Sequence, residues 1–484
     1  MHRFYPLLRV FGALLIGFSV CLAVPMALSW LVEDGAHSAF DEAFVATLAC
    51  GLALFLGLFR ESRELKVRDG FLLVVLVWTV LPLFACLPFV LYLDVSFTDA
   101  YFEAASGLTA TGATVLSGLD AMPLSINFWR TFMHWIGGMG VVVLAVAILP
   151  LLGIGGRQMF KAETPGPMKE SKLTPRIAET AKGLWGVYLL LTTACGLTLW
   201  LLGMEPWDAL MHAFSVMGLG GFSTKDASLG HFGSVAIETA VMVFALLSGI
   251  NYATHFMALH GRSLLPYRRD PEAPYFLGVL AASILGLTVF LLARGVFEGF
   301  GEALRYVAFH SISVATSLGF ATTDYGQWPV FAQLWMLFLS SFAACSGSTG
   351  GGIKMIRAMI LYKQVYRELI HAMHPSALWP VRVRGMPVPP DILTAVLAFG
   401  FAYMCIIVVF TLVMSASGLD IVTAFSAVVA CLNNVGPGLN QVGPATTFAV
   451  LDDFQTWVCI FAMLMGRLEI FTLLVVLTPA FWRK

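Results

Sequence analysis

Apolar runs long enough to cross a bilayer recur along the chain near 7–31, 40–59, 70–93, 125–152, 183–203, 233–260, 275–294, 328–362, 392–416 and 455–481. A membrane-spanning helix needs about 20 mostly apolar residues. The pattern therefore predicts an all-α polytopic membrane protein with ten candidate spans. Arg3 and Arg9 precede the first run, as in a signal peptide. That run is of full spanning length and no small-x-small cleavage site follows, so it reads as a retained first helix.

Charge between the runs sets an orientation. One link carries Arg60, Arg63, Lys66 and Arg68, and the next carries Arg157, Lys161, Lys169, Lys172, Arg176 and Lys182. Arg262, Arg268 and Arg269 follow the sixth run; Arg357, Lys363, Arg367, Arg382 and Arg384 follow the eighth; Arg483 and Lys484 close the chain. The 33–42 link holds Glu33, Asp34, Asp41 and Glu42 without a basic residue. With ten spans every basic cluster falls on one side, and the positive-inside rule makes both termini cytoplasmic.

The connections on the other side are unusual. Segments 94–124, 204–232, 295–327 and 417–454 each begin apolar and helix-like, then pass through Gly, Thr, Ser and Pro. Their lengths fit a half-span helix and an irregular return. Irregular backbone at membrane depth is tolerated where it is buried in protein or lines a water-filled path. Four such segments imply one shared pore.

The four segments overlay on Gly112, Gly221, Gly319 and Gly436, spaced 109, 98 and 117 residues apart. Thirteen residues before the glycine stand Asp99, Asp208, Tyr306 and Thr423; six before it stand Ser106, Ser215, Ser313 and Ala430. His212 and His310 both stand nine before. A single glycine of this kind is commonly a helix break or packing contact; four equivalent turns on one side describe a repeated unit, with the first two spans outside it. A cation pore needs backbone carbonyls in the path and backbone angles that favour glycine. Each half-helix would aim its partly negative C-terminal end at the pore. Asp99 and Asp208 would favour the helix starts and attract cations to the entrance. Thr109, Thr111, Thr114, Ser223, Thr224, Thr322, Thr323, Asn433 and Asn434 would add neutral oxygens.

Composition narrows the function classes. Of 484 residues, 58% are apolar and 12% charged, with 28 basic against 29 acidic side chains. A soluble domain carries about 25% charge, so a cytosolic enzyme, a disordered chain and a nucleic-acid binder are excluded. The eight cysteines form no CxxC pair or Cys/His ligand set and read as small buried hydrophobes. No HExxH or GxSxG is present, and HFMALH (255–260) has no glutamate between its histidines. No enzyme is expected.

Two further features bear on control. Span eight contains CSGSTGGGIK (345–354), too rich in glycine for a stable helix turn. It reads as an unwound segment, a hinge or packing defect on the plainer view; it lacks the spacing of a phosphate-binding loop. Arg467 lies within MLMGRLEIFTLL (463–474), where a charge is costly unless it faces water or a partner. It would either form a structural salt bridge to another helix or point into the pore below the turns. Lys354 and Arg357 read as inner-surface charges. His134, His212, His255 and His310 read as satisfied buried histidines, with a proton relay as the alternative.

TATGAT (109–114), MGLGGFST (217–224), SLGFATTD (317–324) and NNVGPGLN (433–440) resemble the four filter segments of the Trk/Ktr/HKT superfamily of potassium transporters. The resemblance covers essentially the whole chain and is strongest to the bacterial TrkH/TrkG branch, which has two extra N-terminal helices. It implies four M1–P–M2 repeats around one potassium pathway: 70–160, 183–270, 271–390 and 391–484, with 1–69 as the extra helices and 161–182 as a cytoplasmic link. The filter positions fall on Thr111–Gly112, Gly220–Gly221, Leu318–Gly319 and Val435–Gly436, and Pro437 would make the fourth the least regular. One glycine per repeat suggests imperfect discrimination of K+, Rb+ and Na+. The resemblance further implies that Ser346, Gly347, Ser348, Thr349, Gly350, Gly351 and Gly352 form an intramembrane gating loop, with Arg467 facing the pore. It implies K+ as the transported ion and no covalently bound cofactor. A TrkA-like cytoplasmic ring would carry the nucleotide (ATP/ADP or NAD/NADH), and the chain would form a homodimer in the bacterial inner membrane. Parallel repeats favour a pore; an H+- or Na+-coupled K+ symporter is the alternative.

Overall fold

The computed structural model describes residues 4–58, 66–147 and 177–483. Arg60, Arg63, most of the 156–182 link and Lys484 lie outside the described residues. Among the described residues the one sheet is a small hairpin, in which Arg382–Val383 pairs antiparallel with Met386–Pro387; the other regular elements are helices. Arg384 and Gly385 turn it with φ of 51° and 80°, the doubly left-handed pair that a tight hairpin turn requires. The all-α expectation did not include it.

Helices Tyr5–Val32 and His37–Gly57 form an antiparallel hairpin ahead of the rest. Gly12 and Gly51 let their backbones touch: a methyl on Gly12 would sit 2.9 Å from the Gly51 carbonyl oxygen, the close approach that small residues allow. Asp34 holds the turn. Its carboxylate accepts from Ser29 Oγ at 2.5 Å and from the Ser125 amide at 2.8 Å, so the acidic link also anchors the start of helix Leu124–Ala147.

After this hairpin one order of elements recurs: a long helix, a short helix, an extended return and another helix. The short helices are Phe97–Leu108, Pro206–Gly218, Phe300–Ala315 and Ile421–Leu432. Ser96 and Asp420 begin the first and fourth as side-chain caps, and Pro206 begins the second, each a helix-start residue.

Three of the apolar runs are broken, the eighth at the glycine-rich segment as expected and the sixth and tenth where a continuous span was expected. The sixth is Val235–Gly249 followed by Tyr252–His260, bent by 95°. Ile250 is extended there, and the Asn251 side chain caps the new helix by accepting from the Ala253 amide at 2.9 Å. The eighth is Val330–Ser340, then the glycine-rich loop, then Met355–Met373. The tenth is Asp453–Arg467 followed by Phe471–Leu477, bent by 115°. Glu469 and Ile470 both take φ of 56°, so the helix ends at Arg467 rather than running through it. Among the described residues six helices are long and apolar enough to cross a membrane, and the two bent pairs bring that to eight. Large apolar side chains such as Phe401 and Leu412 lie exposed on the outside, where a bilayer would cover them. The chain is a multi-pass membrane protein.

Candidate functional site: four glycine turns and the loop beneath them

The four short helices end in the same way. The amide just before the glycine donates to the carbonyl five residues earlier: Thr111 to Ser106 at 2.9 Å, Gly220 to Ser215 at 3.0 Å, Leu318 to Ser313 at 2.8 Å and Val435 to Ala430 at 2.9 Å. Two residues before the glycine, Ala110, Leu219, Ser317 and Asn434 are left-handed, with φ of 53°, 53°, 63° and 53°. The glycines themselves take 82°, 80°, 83° and 94°. A left-handed Ala or Leu costs about 1–2 kcal/mol, and such strain persists only where the surroundings impose it. The fourth turn, which precedes Pro437, keeps the left-handed pair, and its glycine at 94° departs furthest from the other three.

These turns meet in a closed ring. A methyl on Gly112 would overlap the Gly220 carbonyl, one on Gly221 that of Leu318, and one on Gly319 that of Val435. On Gly436 it would lie 2.9 Å from the Thr111 carbonyl oxygen, which returns to the first segment. All eight residues predicted from the sequence are thus brought together. A cavity of about 250 Å³ opens onto Gly112, Gly221, Gly319 and Gly436 from one side.

Several polar side chains around the ring are bonded into the protein rather than projecting freely. Thr109 and Thr111 share a hydrogen bond of 2.7 Å. Asn434 donates to Thr111 Oγ1 at 2.9 Å, and Asn433 donates to Ser340 and Ser341 and accepts from Tyr403. Asp208 is buried, accepting from Thr224 Oγ1 at 2.6 Å with Lys225 Nζ at 3.4 Å, so it ties down the return strand instead of facing an entrance.

Each return strand is also held from behind by its own short helix. His212 Nε2 bonds Ser223 Oγ at 2.9 Å, and His310 Nε2 accepts from the Thr322 amide at 3.2 Å. In the fourth segment Ser426 accepts from the Leu439 amide at 2.9 Å. In the first, Glu103 accepts from Thr114 Oγ1 at 2.9 Å and the Val115 amide at 3.1 Å, and it is paired with Arg130. Sequence reading singled out the two histidines but passed over Glu103, which occupies the same register. An acid at 103 and a base at 130 within apolar runs was the available signal. His134 bonds Ser215 Oγ at 2.9 Å, and His255 is held between Tyr267 and the Leu247 carbonyl. All four histidines are therefore bonded in place.

The glycine-rich loop crosses beneath the ends of the short helices. Thr349 Oγ1 donates to the Met217 carbonyl at 3.1 Å, and the Gly351 amide donates to Ser317 Oγ at 2.9 Å. A methyl on Gly350 would sit 2.8 Å from the Thr316 carbonyl oxygen, and one on Gly351 would overlap that of Asn433. Gly352, at φ 80°, fits between the Ser340 and Ser341 carbonyls. Gly347, at φ 76°, lies against the Asn251 side chain, and its carbonyl accepts from the Tyr252 amide at 3.1 Å. The loop is therefore seated in the break of the sixth span. Ser348 Oγ turns back to the Cys345 carbonyl at 2.6 Å. Glu272 Oε2 accepts from the Ser346 amide at 2.9 Å and the Ile356 amide at 3.0 Å, joining the two ends of the loop.

Arg467 donates to the Thr349 carbonyl at 3.0 Å, to Gly138 at 3.2 Å and to Gly137. Its partners are carbonyls, whereas Glu469 pairs with the buried Arg357 at 2.6 Å. The Lys354 ammonium donates to the Gly350 carbonyl. Lys354 thus supports the loop and Arg357 belongs to a buried ion pair, contrary to their reading as inner-surface charges.

Fold and site together define a multi-pass membrane transport protein. Residues 36–484 match the TrkH family, described as a cation transport protein. Similar chains include the Trk system potassium uptake protein TrkH of Escherichia coli K12 and that of Salmonella typhimurium LT2, each 46% identical over 486 residues and covering 100% of both chains. The Trk system potassium uptake protein TrkG of Escherichia coli K12 is 36% identical over 476 residues, covering 98% of this chain and 97% of its own. The crystal structure of the potassium transporter TrkH from Vibrio parahaemolyticus superposes with a TM-score of 0.90 at 44% identity, covering 99% of this chain and 100% of that one. The chain belongs to the TrkH family.

Proposed function

We propose that this chain is the ion-conducting subunit of a K+ uptake system. K+ passes through the ring made by Thr111–Gly112, Gly220–Gly221, Leu318–Gly319 and Val435–Gly436, where carbonyls replace its water shell. The observation that carries the reading is the closed order of contacts, in which each glycine abuts the carbonyl of the next segment and the fourth returns to the first. The preference for K+ and Rb+ over Na+ is real but incomplete. The loop 345–354 is the gate, shut while Arg467 holds Thr349 to Gly137 and Gly138. A guanidinium below the ring also repels an approaching cation.

Further elements complete the proposal. Relatives are named as parts of a Trk system, and a cytoplasmic ring of TrkA-like nucleotide-binding subunits would dock on the face bearing Arg262, Arg268, Arg269, Lys363, Arg367 and Arg384. The chain works as a homodimer in the bacterial inner membrane with both termini inside.

The test is Rb+ uptake into liposomes holding only the purified protein, with competing K+, Na+ and Li+ and no imposed H+ or Na+ gradient. Uptake down the Rb+ gradient, blocked best by K+, supports the pore. Uptake that appears only when an H+ or Na+ gradient is added supports coupled symport instead.

A further inference from the structure

Glu103 and Arg130 form an ion pair with both side chains fully buried, Oε1 to Nε at 2.8 Å. A pair this deep gives little net stability, because desolvation offsets most of the attraction. Its significance lies in what it holds. Arg130 donates to Thr114 Oγ1 at 3.2 Å and to the Ser223 carbonyl at 3.1 Å. Thr114 and Ser223 occupy the same place in consecutive strands, two residues beyond Gly112 and Gly221. The guanidinium also lies 4.3 Å over the Phe222 ring. On its other side Glu103 holds Thr114 and the Val115 amide. A planar, rigid fork therefore spans from the first filter strand to the second. Among the described residues, this is the one place where a guanidinium joins two of these strands.

We propose that the Glu103–Arg130 pair is a positioning unit that fixes the spacing of the first and second filter strands and thereby sets the preference for K+ over Na+. The proposal rests on the pore reading above. Ion discrimination depends on the number and placement of carbonyls around the ion, and the linked strands carry the Thr111 and Gly220 carbonyls. The pair is also neutral as a whole. Removing Glu103 alone would leave an unpaired cation beside the cavity that opens on the ring, which opposes cation entry.

The experiment uses the full chain in liposomes and reads the ratio of Na+ to K+ concentrations that half-block Rb+ uptake. Arg130→Gln is expected to lower this ratio at least threefold. Thr114→Val leaves the ion pair intact, is nearly isosteric and should lower the ratio in the same direction; it decides the matter should Arg130→Gln not fold. Glu103→Gln should also reduce total uptake, and Glu103→Gln with Arg130→Gln should recover uptake without recovering the ratio. A lower melting temperature with an unchanged ratio in Arg130→Gln and Thr114→Val overturns the proposal and leaves the pair a packing element. Gly112→Ser separates the two readings. If it shifts the ratio and the pair variants do not, the pore stands and this proposal falls; if it shifts nothing either, the pore reading fails and takes this one with it.

Discussion

The guanidinium of Arg467 and the carbonyl of Thr349 meet at 3.0 Å across 118 residues of sequence. The same guanidinium reaches Gly138 at 3.2 Å. One side chain at the end of a broken helix therefore pins the glycine-rich loop to a different transmembrane helix.

Removing that pin should loosen the loop. Arg467→Ala, or a deletion within 346–352, is expected to raise Rb+ uptake several-fold in liposomes without any partner subunit. Well-folded protein with unchanged uptake would make the loop a static plug support.

The two ends of the loop depend on one carboxylate. Glu272→Ala strips the acceptor from the Ser346 and Ile356 amides. Basal uptake should rise, by less than in Arg467→Ala, while Glu272→Gln, which keeps a carbonyl acceptor, should fall between wild type and Ala. Equal uptake in all three proteins would show that the loop is held elsewhere.

The ring predicts graded damage at its glycines. Gly112→Ser and Gly319→Ser each place a side chain against a neighbouring carbonyl in a left-handed backbone. Both should lower K+ over Na+ selectivity, by about tenfold if the disturbance is worth ~1.4 kcal/mol, with protein still in the membrane. Competition assays with K+ and Na+ check this; an unchanged ratio in both variants removes the filter assignment.

The Arg357–Glu469 pair bears on stability. Arg357 is nearly inaccessible and stacks 4.1 Å from the Phe399 ring. Glu469→Ala leaves its charge without a partner, a loss of about 3 kcal/mol for a buried pair, reduced here because Glu469 is partly exposed. Thermal unfolding in detergent should show a drop of several degrees. Arg357→Met, which removes the stranded charge, should be milder.

Much of this architecture is legible in the sequence because hydrophobic length and glycine registers are strong, local signals. The four glycines stand in a register repeated four times, and the residue before each is placed by the family resemblance. The −2 residues are not: Ala110, Leu219, Ser317 and Asn434 share a left-handed backbone but no chemistry, so nothing in their identities marks them. The helix breaks at Ile250 and after Arg467 escape for a related reason, since the apolar runs continue through them while the bends are imposed by loop and carbonyl contacts from distant segments. Glu103 and Arg130 lie 27 residues apart, and only the folded chain shows that one neutralises the other. Lys354 and Arg357 were misread because positive charges near a span end usually face the cytoplasm, and the carbonyl and carboxylate that hold them come from elsewhere in the chain.

The ring of glycine–carbonyl contacts has a rotational sense, each segment leaning on its successor in chain order. In an assembly of identical subunits, every mutation is copied to all walls at once. In this single chain each wall can change alone. The four sides of the ring are thus free to diverge in character, a histidine brace on two, a carboxylate on one and a serine on another, while the contacts that close the ring stay shared.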